Sequence, residues 1–82
     1  MKQYQTIEYK LTAKHSLPEY DRFNFDDEVI KIKTSPFFNE EDTEKFYWSS
    51  KLGCSKDYDT PEECIRETCF RHGVKVLKLE RI

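Results

Sequence analysis

Glycine is scarce in this chain, with Gly53 and Gly73 as its two examples, and no glycine-rich phosphate cradle can be built from two isolated residues. Histidine is equally rare. His15 and His72 fall on segments that offer no sequence-level partner for general acid–base or nucleophilic chemistry. The three cysteines, Cys54, Cys64 and Cys69, include no C-x2-C pair. Cys64 and Cys69 would lie about 140° apart around a helix and so cannot converge on one ion. No metal, no cofactor and no enzyme activity are therefore expected. An odd cysteine count without a secretory leader fits free thiols in a reducing compartment. Apolar runs long enough for a signal peptide or a membrane span are lacking as well, which points to the cytoplasm and to no membrane partner.

What is present is aromatic and charged. The 82 residues form one expected domain, 1–82, whose core draws on six Phe, five Tyr and one Trp; aromatic side chains bury enough area each for a few of them to fill a small core. Fourteen basic against sixteen acidic groups leave a net charge of −2, far from the strongly basic balance of a bulk nucleic-acid binder. The acidity is local. Glu19, Asp21, Asp26, Asp27, Glu28, Glu40, Glu41, Asp42 and Glu44 fall between residues 19 and 44, against Arg22, Lys31 and Lys33.

Alternation places Ile7, Tyr9, Leu11 and Ala13 on one face of a first strand. After Pro18 and the run Glu19-Tyr20-Asp21-Arg22, the pair Asp26-Asp27 reads as a turn, and Glu28 to Thr34 reads as a second strand with Ile30 and Ile32 inward. Ser35-Pro36 ends it. Lys45 to Leu52 reads as a third strand, with Phe46 and Trp48 on one face and Tyr47, Ser49 and Lys51 on the other, followed by a loop from Gly53 to Asp59. Thr60-Pro61-Glu62-Glu63 is a helix start with cap, first-turn proline and a capping-box glutamate, and Gly73 supplies the left-handed stop. The helix, about Pro61 to His72, turns Cys64, Ile65, Thr68, Cys69 and His72 to one side. Glu62–Arg66 and Glu67–Arg71 are i,i+4 pairs on the other, where Phe70 has no evident purpose. Val74 to Leu79 is the last strand, and its adjacent Val76 and Leu77 suggest a bulge or burial on both faces. The fold class is α+β: a small antiparallel sheet, β-β-β-α-β along the chain, with one amphipathic helix packed on one face.

The acidic connection Asn39 to Glu44, with Phe37 and Phe38 before it, has the make-up of a docking surface, in which aromatics anchor and carboxylates steer toward a basic partner. The ordinary alternative is a solvated loop whose phenylalanines enter the core. Two consecutive phenylalanines at a strand end cannot both point inward, so at least one of Phe37, Phe38 and Phe70 is expected to stay exposed. The candidate protein-binding residues are Phe37, Phe38, Glu40, Glu41, Asp42, Glu44, Tyr47 and Phe70. A second surface, Lys10, Lys31, Lys33, Tyr47 and Lys51 on the open sheet face, is the candidate for single-stranded nucleic acid; lysine is also the common occupant of any solvated sheet face.

Small, acidic, aromatic-rich and free of motifs, the chain resembles in profile the small inhibitors that phages and mobile elements direct at host enzymes, anti-CRISPR proteins among them. That profile implies a non-catalytic protein-binding module that occludes a basic surface of a nucleic-acid-handling enzyme. The alternatives are a single-stranded nucleic-acid-binding domain using the lysine-rich face, and a small structural subunit of a larger complex.

Overall fold

The computed structural model describes residues 5–35 and 45–82. Its main element is a four-stranded antiparallel sheet of spatial order β3-β2-β1-β6, built from β1 (Thr6–His15), β2 (Phe25–Thr34), β3 (Phe46–Tyr47) and β6 (Val74–Arg81). A small hairpin of β4 (Ser49–Ser50) and β5 (Gly53–Cys54) precedes the helix α1 (Pro61–Arg71). The α+β class with one helix on the sheet is as the sequence implies. The difference is the hairpin, inserted where a longer third strand and a loop were expected.

The first strand behaves as its alternation dictates. Ile7, Tyr9, Leu11 and Ala13 are buried, facing Ile32, Ile30 and Phe25 across the register Ile7↔Ile32, Tyr9↔Ile30 and Ala13↔Phe25. Asp26 and Asp27 do not make a turn. They sit inside β2 as a bulge, with Asp27 at φ 52° and the register shifted between Leu11 and Ala13. Thr12 Oγ1 accepts the Asp27 N–H at 3.2 Å, and Lys10 Nζ lies 3.4 Å from the Asp27 carboxylate. A short polar side chain tolerates the left-handed region that the extra residue requires.

The bulge suggested at Val76-Leu77 is present in β6. Thr12 pairs with Lys78 and Ala13 with Val76, leaving Leu77 as the extra residue. It turns Leu77 outward, half exposed at 52%, and returns Leu79 to the core side. β3 ends after Tyr47 because Ser55 captures the next residue: the Trp48 N–H donates to Ser55 Oγ at 2.8 Å and the Ser55 N–H donates to the Trp48 carbonyl at 2.8 Å. Phe46 and Trp48 are buried, as alternation implies, but Lys51 lies in the hairpin turn rather than on the sheet.

The helix starts as read, with Thr60 Oγ1 accepting the Glu63 N–H at 3.1 Å, which satisfies one of the first-turn donors. Gly73 ends it at φ 72°. Cys64, Ile65, Thr68 and Cys69 are buried against the sheet. His72 is exposed rather than packed, and its Nδ1 donates to the Thr68 carbonyl at 2.8 Å as part of the helix end. Among the described residues the ion pairs are Lys10–Asp27, Lys45–Asp59, Lys51–Glu28 and Lys78–Glu80. The i,i+4 partners Glu62–Arg66 and Glu67–Arg71 stay apart, each solvated on the outer face, where such pairs contribute only a few tenths of a kcal/mol (~0.2–0.5).

Burial makes two helix thiols poor acids. It pushes Cys64 up, with the hydrogen bond to Ser55 partly opposing it, and raises Cys69 from 9.0 to about 11. The unfolded chain gives up the Cys69 proton at its ordinary, lower pKa. The stabilisation is therefore complete below about pH 9 and is lost as pH rises toward about 11. The urea midpoint is expected to fall across that window, and a Cys69→Ala variant is expected to show a shallower fall. Equal pH profiles for the two proteins would contradict the burial of this thiol.

Candidate interaction surfaces

The helix covers one side of the sheet, and the other side carries the strand residues that alternate away from the core. The register sets the basic side chains there in rows. Thr6 faces Lys33, Glu8 faces Lys31, Thr12 faces Lys78, and Lys14 faces Lys75. Lys10 and Lys78 are neutralised by Asp27 and Glu80. Among the described residues Lys14, Lys31, Lys33 and Lys75 have no ion pair. Two like charges directly across a strand pair are destabilising, so Lys14 and Lys75 store a repulsion that an anionic group would relieve. Val29 and Leu77, exposed at 51% and 52%, lie at opposite margins of this face.

Of the residues put forward for nucleic acid, Lys10, Lys31, Lys33 and Tyr47 share this face, since Tyr47 is the register partner of Lys33. Lys51 is not with them. Its ammonium is tied to the Asn24 carbonyl, lies 3.1 Å from Glu28 Oε2 and sits 4.3 Å over the Phe25 ring, at the edge of the sheet. Tyr47 is half-buried and is the face's one aromatic among the described residues, which leaves little platform for base stacking.

Phe70 stands on the outer side of α1 and is 80% exposed, among the charged residues Arg66, Glu67 and Arg71. Tyr47 and Phe70 therefore lie on opposite sides of the sheet, and the structure does not bring them into one surface. Phe37, Phe38, Glu40, Glu41, Asp42 and Glu44 fall outside the described residues.

Two features carry no local signal in the sequence. At the corner after β1, the segment Pro18–Phe23 forms a 3-10 turn that gathers His15, Tyr20 and Phe23, with ring centroids 4.8 Å apart for His15–Tyr20 and 6.2 Å for His15–Phe23. The Arg22 guanidinium lies 4.6 Å over the Phe23 ring. The His15 Nδ1 accepts the Leu17 N–H at 3.0 Å, so the ring is committed to holding this corner. The second is a groove of about 490 Å³ between the edge of β2 and the start of the hairpin, lined by Phe25, Ile30, Lys31, Trp48 and Ser49 among others.

Among the described residues no group of three His, Cys, Asp or Glu gathers where it could hold a metal ion, and no helix is long and apolar enough to cross a membrane. Cys64 Sγ lies 3.2 Å from Ser55 Oγ, but its raised pKa is the opposite of what an activated thiolate nucleophile needs. No family model matches the chain, and comparison with curated proteins and with solved structures finds no significant match.

Proposed function

We propose that this chain is a non-catalytic protein-binding module, of the inhibitor kind that covers a basic surface on a nucleic-acid-handling enzyme. The observation that carries the reading is Phe70, a large aromatic held 80% exposed on the rigid outer face of α1. The fold gains nothing from its ring. Aromatics fixed on a rigid element and ringed by polar groups are the typical energetic centres of protein interfaces. The acidic concentration between residues 19 and 44 supports a basic partner, since carboxylates steer association and suppress wrong partners.

The test uses a partner captured from the native host and compares two variants with the parent protein. Phe70→Ser is expected to weaken binding by about tenfold or more while leaving the melting temperature unchanged, because the side chain is solvated in the free protein. Replacing Glu40, Glu41, Asp42 and Glu44 together by Gln or Asn is expected to weaken binding and flatten its salt dependence. Parental affinity in both variants overturns the reading.

One observation favours a second reading, binding of single-stranded nucleic acid on the open face: Lys14 and Lys75 are opposed without a carboxylate between them. That reading requires short RNA or DNA to bind with a steep salt dependence that Lys31→Glu and Lys33→Glu abolish. Exposed Val29 and Leu77 at the margins, with Tyr47 as the one aromatic of this face among the described residues, suit a protein surface better than a row of bases.

A further inference from the structure

The edge of β2 beside the groove is half unpaired. The Thr34 N–H donates to the Gln5 carbonyl at 3.0 Å, which places the backbone groups of Thr34, Ile32 and Ile30 on the β1 side. Hydrogen-bonding direction alternates along a strand, so Lys33, Lys31 and Val29 aim their N–H and C=O groups the other way. Lys33 finds Tyr47 of β3. The next position along β3 is Trp48, which Ser55 has drawn aside, and Ser49 pairs with Cys54 in the hairpin. Among the described residues the β2–β3 ladder ends at Lys33–Tyr47, so the outward N–H and C=O groups of Lys31 and Val29 lie outside any strand pairing. The groove occupies the place where a longer β3 would have run.

We propose that this edge accepts an extended acidic peptide by strand addition, with carboxylate side chains at alternate positions and apolar ones between them. An added strand would take up the outward backbone groups of Val29 and Lys31, the general source of affinity in this mode of recognition. Its two faces meet different chemistry. On the open side the strand lies beside Lys31 and Lys33, which carry no ion pair among the described residues. On the helix side it lies over the groove floor formed by Phe25, Ile30 and Trp48. Lys51 and Glu28 neutralise one another at 3.1 Å, which leaves the two outward lysines as the basic groups of the site, Lys33 opposite Thr6 and Lys31 opposite Glu8 without an ion pair to it. Lys31 argues against a second copy as the occupant, since antiparallel pairing of two free β2 edges would bring the two Lys31 side chains near one another.

This site is independent of Phe70, and its test separates the two. The probe is a fluorescein-labelled octapeptide of alternating Glu and Val, titrated to about 1 mM. It is expected to bind, to shift the amide resonances of Val29 and Lys31, and to slow their exchange with solvent. Methylating alternate peptide nitrogens is expected to abolish binding. Lys31→Glu and Lys33→Glu together, both solvated positions, are expected to weaken it at least about tenfold, while Phe70→Ser leaves it unchanged. An alternating Lys and Val peptide is expected to bind less tightly. The proposal is overturned by absence of binding, by binding indifferent to N-methylation, or by an oligo-uridine that takes the same lysines more tightly than the peptide does.

Discussion

Replacing Trp48 by alanine is expected to remove about 3–5 kcal/mol of stability, the usual cost of truncating a fully buried large aromatic. A domain of this size has a total of only about 5–15 kcal/mol to lose. Trp48 is 2% exposed, its ring lies 5.3 Å from that of Phe25, and its backbone joins the sheet to the hairpin through Ser55. The side chain thus holds together the floor of the groove, the start of the hairpin and the bulged beginning of β2. Trp48→Phe retains most of that contact and is expected to lose less than half as much. Urea unfolding followed by far-ultraviolet circular dichroism measures both, and a loss under about 1 kcal/mol for the alanine variant would show that the ring is not packed as described.

The elements that the sequence made legible are those in which local pattern and tertiary need coincide. β1 alternates without interruption, and its four inward residues are the buried ones. Helix α1 carries its start and stop in Thr60, Pro61 and Gly73, and both ends fall within a residue of where those signals put them. The doublet Val76-Leu77 betrayed the bulge in β6. The second bulge was equally encoded but harder to see. Phe25 and Ile30 are both buried although an odd number of steps separates them, so simple alternation cannot point both inward. One residue must be inserted between them, and Asp26-Asp27 looks like a turn because a bulge uses the same left-handed, short polar chemistry as a turn.

The third strand is shorter than its pattern implies for a different reason. Lys45 to Leu52 alternates well enough to pass as one strand, but Ser55, seven residues beyond Trp48, diverts the backbone, and no pattern within the segment announces that. The candidate surfaces are partly legible from local pattern. Phe70 stood out in the sequence because a phenylalanine on a charged helix face has no local purpose, and it is exposed. The alternation Phe46-Tyr47-Trp48 also puts Tyr47 on the open face, away from α1, so that it and Phe70 cannot share one surface. The β2 edge groove was invisible: it exists because β3 stops, and the residues that stop it are not those that line it.

The two glycines both have positive φ, Gly53 at 100° and Gly73 at 72°, but their surroundings differ. A Cβ on Gly53 would meet nothing within 4 Å, whereas one on Gly73 would come within 3.3 Å of His15 Nε2 and 3.4 Å of Cε1. His15 cannot easily retreat, because its Nδ1 holds the Leu17 N–H and the Ser16 N–H donates to the Gly73 carbonyl at 2.9 Å. Gly53→Ala is therefore expected to cost about 1 kcal/mol, the backbone strain alone. Gly73→Ala adds the crowding of His15 to that strain, and Gly73→Val, with a branched side chain in the left-handed region, is expected to cost about 2–3 kcal/mol. Urea midpoints rank the three variants, and the His15 ring resonances should move in the Gly73 variants alone. Equal losses for Gly53→Ala and Gly73→Ala would mean that the end of α1 and the corner after β1 are not pressed together, and with that the tie between helix and sheet through Ser16 and Gly73 would fail.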